Sequence, residues 1–326
     1  MTLRDIFNNS SNIDFRPSWK FTLPLAGAVS LISAILIVVV GFNLSIDFEG
    51  GGIYEVQVPA DVTVESARSV ITETDVRIQI IENADGDSYV RVQTGAEQLD
   101  NSDQIISELV EVSGRTADEI SINEVGPTWG DQITNKALRA LVLFFIAVAV
   151  YLSLTLEWEM AVGAIVAVIH DLLLTAGVYV IVRFEVSPAT VIALLTIMGY
   201  SLYDTVVVYD KVKENEAENT GRKPAELSDL VNTSMNQVLM RSINTTLTTV
   251  LPVVSMLVIG GLFLGGATLR DFALALFIGL LAGTYSSIFV ASPLLVWLKQ
   301  RMPEKPATDT KSKPSITPLG PTGLPR

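Results

Sequence analysis

Six apolar runs constrain this chain more than any other feature: residues 22–42, 137–156, 160–182, 188–209, 246–265 and 272–298. Each is about as long as the roughly 20 residues a helix needs to cross a bilayer. Helices buried in a soluble core would show polar stripes every three to four residues, and the stretch 141–150 shows none. The first run is too long for a signal peptide and has no small-x-small cleavage site near residues 42–45, so it reads as a retained anchor. The sequence therefore predicts a polytopic α-helical membrane protein with six transmembrane helices.

Charge divides the remaining chain. The formal charge is −13 although the mean hydropathy is +0.44. Residues 44–135 hold 19 of the 35 acidic residues and 4 of the 22 basic ones, which leaves the rest of the chain nearly neutral. Nucleic acid is excluded as a partner, because phosphate binding needs clustered Lys and Arg. With no cysteine and one histidine, disulfides, thiolate metal sites and His-rich metal clusters are excluded as well. No phosphate-binding glycine loop occurs, and no cofactor is expected. Segments 1–21, 210–245 and 299–326 carry 3, 5 and 6 basic residues, and the whole of the rest of the chain carries 8. The positive-inside bias then predicts both termini in the cytoplasm, with the acidic segment outside.

That segment, 44–136, sits between the first span (22–43) and the bundle of spans two to six (137–298). Residues 53–58 alternate as a strand, 64–72 read as a helix, and 76–81 and 89–93 read as strands around a turn at 83–87. A helix follows at 102–112, entered at Ser102, and a last strand at 119–125. The β-α-β-β-α-β order predicts an extracytoplasmic α+β ferredoxin-like domain. In the loop 210–245, Leu227, Leu230, Val231, Ser234 and Val238 share a helical face, which predicts an amphipathic helix at the membrane surface or against another subunit. The last 24 residues hold 6 of the 14 prolines and predict a disordered cytoplasmic tail, 299–326.

Ionisable residues inside spans are costly and mark function. Asp204 lies about 9 Å inside the edge set by Asp210, with Tyr200 and Ser201 one turn away on the same face. Arg241 precedes span five, and spacings of three, four and seven place Asn244, Thr245 and Thr248 on its face. An arginine followed by hydroxyls is suited to hold a carboxylate on the next helix and a water chain beside it. The plainer alternatives are a headgroup anchor for Arg241 and a carboxylate snorkelling to the edge for Asp204. Asp171 lies deeper, about 18 Å along span three. With His170 it reads equally as a proton relay or as a polar clasp. Ala275, Gly279, Gly283, Ser287 and Ala291 repeat every four residues in span six, a stripe for close helix packing.

Several motifs follow one another in order. They are Ile46-Asp47-Phe48-Glu49-Gly50-Gly51, Val125-Gly126-Pro127-Thr128-Trp129-Gly130, His170-Asp171, and the run Gly199-Tyr200-Ser201-Leu202-Tyr203-Asp204 that continues to Asn215. Together they resemble the SecF family of bacterial protein-export membrane proteins, the smaller partners in the SecD–SecF pair and a branch of the resistance-nodulation-division superfamily. The resemblance covers about residues 12–300. It implies a non-enzymatic subunit of the bacterial cytoplasmic membrane, working with a six-span SecD-like subunit and the SecY translocon. Such a subunit uses the proton-motive force to help draw unfolded secreted polypeptide outward. It also implies proton-coupling roles for Asp204 and Arg241; Asp171, Thr245 and Thr248 stand behind them as candidates by their placement in the spans alone. Tyr203 and Lys211 stand where the family commonly has Asn and Arg.

Two other classes compete. An intramembrane aspartyl protease needs two carboxylates at matched depth, whereas Asp171 and Asp204 differ by about 9 Å by counting. A small-molecule or lipid exporter of the same superfamily usually carries both six-span halves in one chain.

Overall fold

A computed structural model describes residues 13–74, 76–82, 86–218, 224–260 and 267–301. Five helices are long and apolar enough to cross a membrane: Arg16–Val40, Pro127–Thr155, Trp158–Val182, Pro188–Glu218 and Leu269–Arg301. The first four are α1, α4, α5 and α6. The expected run 246–265 belongs in part to α7 (Pro224–Val258), and residues 261–266 lie outside the described set, as does the expected tail beyond Arg301. Proline opens α4, α6 and α7, where its fixed φ suits a first helical turn and its missing N–H costs nothing. Large apolar side chains point outward, Val38 being 85% exposed and Leu154 81%. That surface suits lipid or a partner helix rather than water.

Between α1 and α4 lies an antiparallel sheet of order β3-β4-β2-β5, made of β2 (Gly51–Val58), β3 (Val76–Glu82), β4 (Ser88–Thr94) and β5 (Ser121–Val125). Helices α2 (Val64–Val70) and α3 (Ser102–Ser113) complete the core with it. Residues alternate in and out along the strands. Tyr54, Val56, Val90 and Val92 meet Ile105 and Leu109 of α3, all fully or almost fully buried. Each such side chain contributes about 1.5–3 kcal/mol relative to exposure. Gly51 opens β2 at φ +134, and a Cβ there would stand 2.0 Å from the Thr94 carbonyl oxygen. The last strand starts at Ser121 rather than 119, because Ala117–Glu119 forms a 3-10 turn closed by a Thr116–Glu119 capping box. Of the expected turn at 83–87, residues 83–85 lie outside the described set.

The sheet is fastened to the helices at its base. Strand β1 (Asn43–Leu44) pairs in parallel with β6 (Glu185–Val186), the link between α5 and α6. Arg183 takes a left-handed conformation (φ 61) to end α5. Its guanidinium donates to the Gly41 carbonyl at 3.1 Å, and the Arg183 carbonyl accepts from Asn43 Nδ2 at 3.1 Å. Arg77 of β3 donates to Asn43 Oδ1 at 2.7 Å. A helical turn, Ile46–Glu49, packs on the start of α4, where a Cβ at Gly130 would meet the Phe48 carbonyl oxygen at 2.6 Å.

Helix α6 is central to the bundle, contacting α5, α7 and the last helix. That last helix begins as α8 (Ala267–Ser286), passes through one π-helical turn (Ser287–Ala291), and continues as α9 (Ser292–Arg301). Its small-residue stripe packs on α6. A Cβ at Gly279 would lie 2.2 Å from the Ile197 side chain, and one at Gly283 would lie 2.9 Å from Ser201 Cβ. The segment expected to lie at the membrane surface or on another subunit packs instead within this chain. Leu230, Val231 and Val238 join the core of Met160, Leu202 and Tyr209, and the segment runs without a break into α7. On the same helix, Asn236 exchanges hydrogen bonds of 2.8 Å with the Ile13 backbone, and Asn232 Oδ1 accepts from Phe15 N–H at 2.9 Å.

Candidate functional site

Asp204 projects from α6 into the gap between α7 and the last helix, and it is half-buried. Ser242 Oγ donates to its Oδ1 at 2.5 Å, and Ser287 Oγ donates to its Oδ2 at 2.6 Å. Both serines are buried, and both hydrogen bonds suit an ionised carboxylate, which accepts only. Beside it lies a cavity of about 20 Å³, room for one water, lined by Ser201, Thr245, Thr246, Gly283 and Thr284 among others. Thr246 and Thr284 hydroxyls meet across it at 2.7 Å.

Arg241 is not the partner of Asp204. Its Nη2 donates to the Tyr203 hydroxyl at 2.5 Å, with the guanidinium carbon 5.6 Å from the centroid of that ring. No ion pair joins Arg241 to Asp204 among the described residues. Arg241, Asn244 and Thr248 do share a face, but that face is exposed, and Ser242, about 100° around the helix, points inward. Thr245 lines the cavity, although its hydroxyl donates to the Arg241 carbonyl at 2.7 Å. Thr248 likewise turns back on its own helix, donating to the Asn244 carbonyl at 2.9 Å.

Asp171 is more deeply enclosed, at 1% exposure. Ser201 Oγ and Ser286 Oγ both donate to its Oδ2, the latter at 2.7 Å. Its Oδ1 is buried and has no hydrogen-bond partner among the described residues. His170 turns away, its Nδ1 lying 2.8 Å from Ser30 Oγ of α1. Neighbouring residues on a helix face different ways, so His170 and Asp171 serve separate contacts and do not form one relay. Because Ser286 and Ser287 are consecutive and hold Asp171 and Asp204 respectively, the two carboxylates lie within about one helical turn in depth. Counting along separate helices overstated their separation, since the edge set at Asp210 is not where α6 ends; the helix runs on to Glu218.

Ser242 and Ser286 stand outside the candidates visible from spacing and charge, and Ser287 is visible there only as part of the packing stripe. Paired hydroxyls at 286–287, in an otherwise apolar run, were the signal available. Among the described residues, no group of three or more His, Cys, Asp or Glu side chains is placed to hold a metal ion.

Residues 105–301 match the family described as protein export membrane protein SecD/SecF, C-terminal. The chain belongs to the SecD/SecF family. It is 40% identical to the protein translocase subunit SecF of Streptomyces coelicolor, over 90% of this chain and 79% of that one. It is 41% identical to SecF of Mycobacterium tuberculosis, over 85% of this chain and 65% of that one. The crystal structure of SecDF from Thermus thermophilus superposes with a TM-score of 0.74 at 32% identity, covering 92% of this chain and 40% of that longer one. In this SecD/SecF chain the Tyr203 phenol occupies Arg241, so the departure from the commoner Asn bears on the arginine and not on the hydrogen bonds of Asp204. The aspartyl-protease reading finds no support from the site: the two carboxylates are held by different serines and share no hydrogen bond among the described residues.

Proposed function

We propose that this chain is the SecF-like subunit of a protein translocase and that Asp204 couples proton movement to export. On this reading it has six spans in the bacterial cytoplasmic membrane, with both termini inside. The acidic sheet domain is ferredoxin-like and lies outside. The observation that carries the coupling role is Asp204 itself, a carboxylate in a spanning helix held by hydroxyls from two other helices beside a water-sized cavity. A carboxylate so placed loosens its hold on those donors when it gains a proton, because a neutral carboxyl is the weaker acceptor.

The mechanism is a switch between two neighbours on α7. With Asp204 held by Ser242 and Ser287, Arg241 rests on Tyr203. Arg241 stands about 100° around α7 from Ser242, an arc covered by a partial rotation of the helix together with the reach of the long arginine side chain. Both arrangements, with Ser242 or Arg241 at Asp204, hold an ionised carboxylate, and protonation removes the charge that either set of donors answers, which frees α7 to pass between them. A membrane potential supplies about 2.3 kcal/mol per charge for each 100 mV.

A six-span SecD-like partner is supported by the fused SecDF relatives. The outward polar face of Arg241, Asn244 and Thr248 is also poorly suited to lipid. The solved SecDF is described as a translocon-associated membrane protein, which supports a translocon, SecY on this reading, as a further partner, and with it the unfolded secreted polypeptide that a translocon passes. An exporter of small molecules or lipids has no such support.

Asp204→Asn is expected to abolish proton-dependent stimulation of secretion in membrane vesicles while leaving insertion and SecD association intact. Normal stimulation by that variant would remove the coupling role. Arg241→Lys is expected to retain part of the stimulation and Arg241→Ala none, and equal activity of the two would make Arg241 a simple anchor.

A further inference from the structure

The deepest carboxylate in the bundle is left unused by the coupling role just given to Asp204. Asp171 has one oxygen accepting from two serines and the other enclosed without a partner. Unpaired buried charge is strongly disfavoured, and a carboxyl that carries a proton avoids it. No cation reaches Asp171 among the described residues. The titratable groups near it are Asp204 from α6, Tyr285 from the last helix and His170 from its own helix. Helix α1 offers the Ser30 hydroxyl at this level, and it is taken by His170.

Asp171 and Asp204 are also connected. Ser201 donates to Asp171 and at the same time lines the cavity that Asp204 lines. One water in that cavity completes a path from one carboxyl to the other. On the far side, Ser286 and Ser287 bind the two carboxylates from consecutive positions where the last helix enters its π turn. Such turns interrupt the regular spiral and recur at functional sites.

We propose that Asp171 is a second proton-carrying group, exchanging with Asp204 through the Ser201 hydroxyl and one cavity water. The transfer balances as a single relayed proton. Asp204 gives its proton to the water, and the water gives one to Ser201 Oγ. Ser201 then gives its own hydroxyl proton to Asp171, so that Asp204 is left ionised, Asp171 neutral, and both water and hydroxyl restored. Ser286 acts by position, tying the protonation of Asp171 to the turn of helix that holds Asp204. The proposal rests on Asp204 as the coupling carboxylate, but its test reads the proton on Asp171 directly.

The experiment is infrared difference spectroscopy against pH on the full chain, reconstituted with its SecD-like partner in liposomes. Asp171→Asn should delete one protonated-carboxyl band, and Asp171→Glu should keep a band at a shifted frequency. Asp204→Asn should leave the Asp171 band in place and displace its titration. Ser201→Ala should keep the band but slow its deuterium exchange on the order of tenfold, the effect of a barrier raised by about 1.4 kcal/mol. If Asp171→Asn removes no band while the protein remains inserted and partner-bound, the proposal is overturned. It is equally overturned if Asp204→Asn leaves the titration of the band unmoved. Should the band behave as expected while Asp204→Asn still shows proton-stimulated secretion, the second proton site stands and the coupling role of Asp204 falls.

Discussion

At position 203 a phenol accepts a hydrogen bond from Arg241. An asparagine can accept the same donor through its amide oxygen, whereas phenylalanine cannot. Tyr203→Asn is therefore expected to keep proton-dependent secretion close to the parent, and Tyr203→Phe to lower it by about ten- to a hundredfold, in line with about 1.5–3 kcal/mol for a hydrogen bond to a charged group. Initial rates of secretion in energised vesicles measure both. Asp204 was legible in the sequence because a carboxylate within an apolar run stands out on composition alone. Its partners were not. Helical spacing tells which residues share a face but not which way that face points, and the face of Arg241 and Thr248 points outward. The inward donors, Ser242 and Ser287, are small residues whose hydroxyls gain a role only once three helices converge.

Among the elements, the last helix shows how far periodicity reaches. Its small residues at every fourth position announced close packing, and α6 indeed approaches to within Cβ distance of Gly279 and Gly283. Replacing Gly279 with Ala is expected to cost about 1–3 kcal/mol through overpacking against Ile197, seen as a lower thermal unfolding midpoint in detergent. The stripe gave no hint of the π turn at Ser287–Ala291, since the i, i+4 pattern continues through it unchanged. Helix α7 was misread for the opposite reason. Its amphipathic first half and apolar second half suggested two elements, yet nothing between Pro224 and Pro252 breaks a helix, and one continuous helix forms. The polar residues of that first half had partners no local pattern predicts: Asn232 and Asn236 bind backbone more than 200 residues earlier.

Across the whole molecule, the order of strands and helices between α1 and α4 was readable, because alternation and helical spacing are local properties. The fastening of that domain to the bundle was not, because Asn43 and Glu185 meet only in three dimensions. Burial at this junction pushes the Glu185 carboxyl above the usual carboxylate range, against the opposing pull of Arg91 and Arg77. Folding thus favours its protonated form. Its contribution to stability is greatest below the ordinary carboxylate pKa and is lost as pH rises through the raised value. Glu185→Gln is expected to flatten that decline and raise stability near neutral pH, as measured by unfolding midpoints from mildly acidic to neutral buffer. The same junction carries a mechanical consequence. The sheet domain is gripped at two points, by the strand pairing at the α5–α6 link and by the seat of Phe48 on Gly130 of α4. It therefore resembles a lever keyed to its shaft more than a bead on a string. With the domain held this way, a tilt of α5 or α6 at the depth of the two carboxylates would reach the domain as torque, and a pull on the domain would return to the carboxylates by the same route.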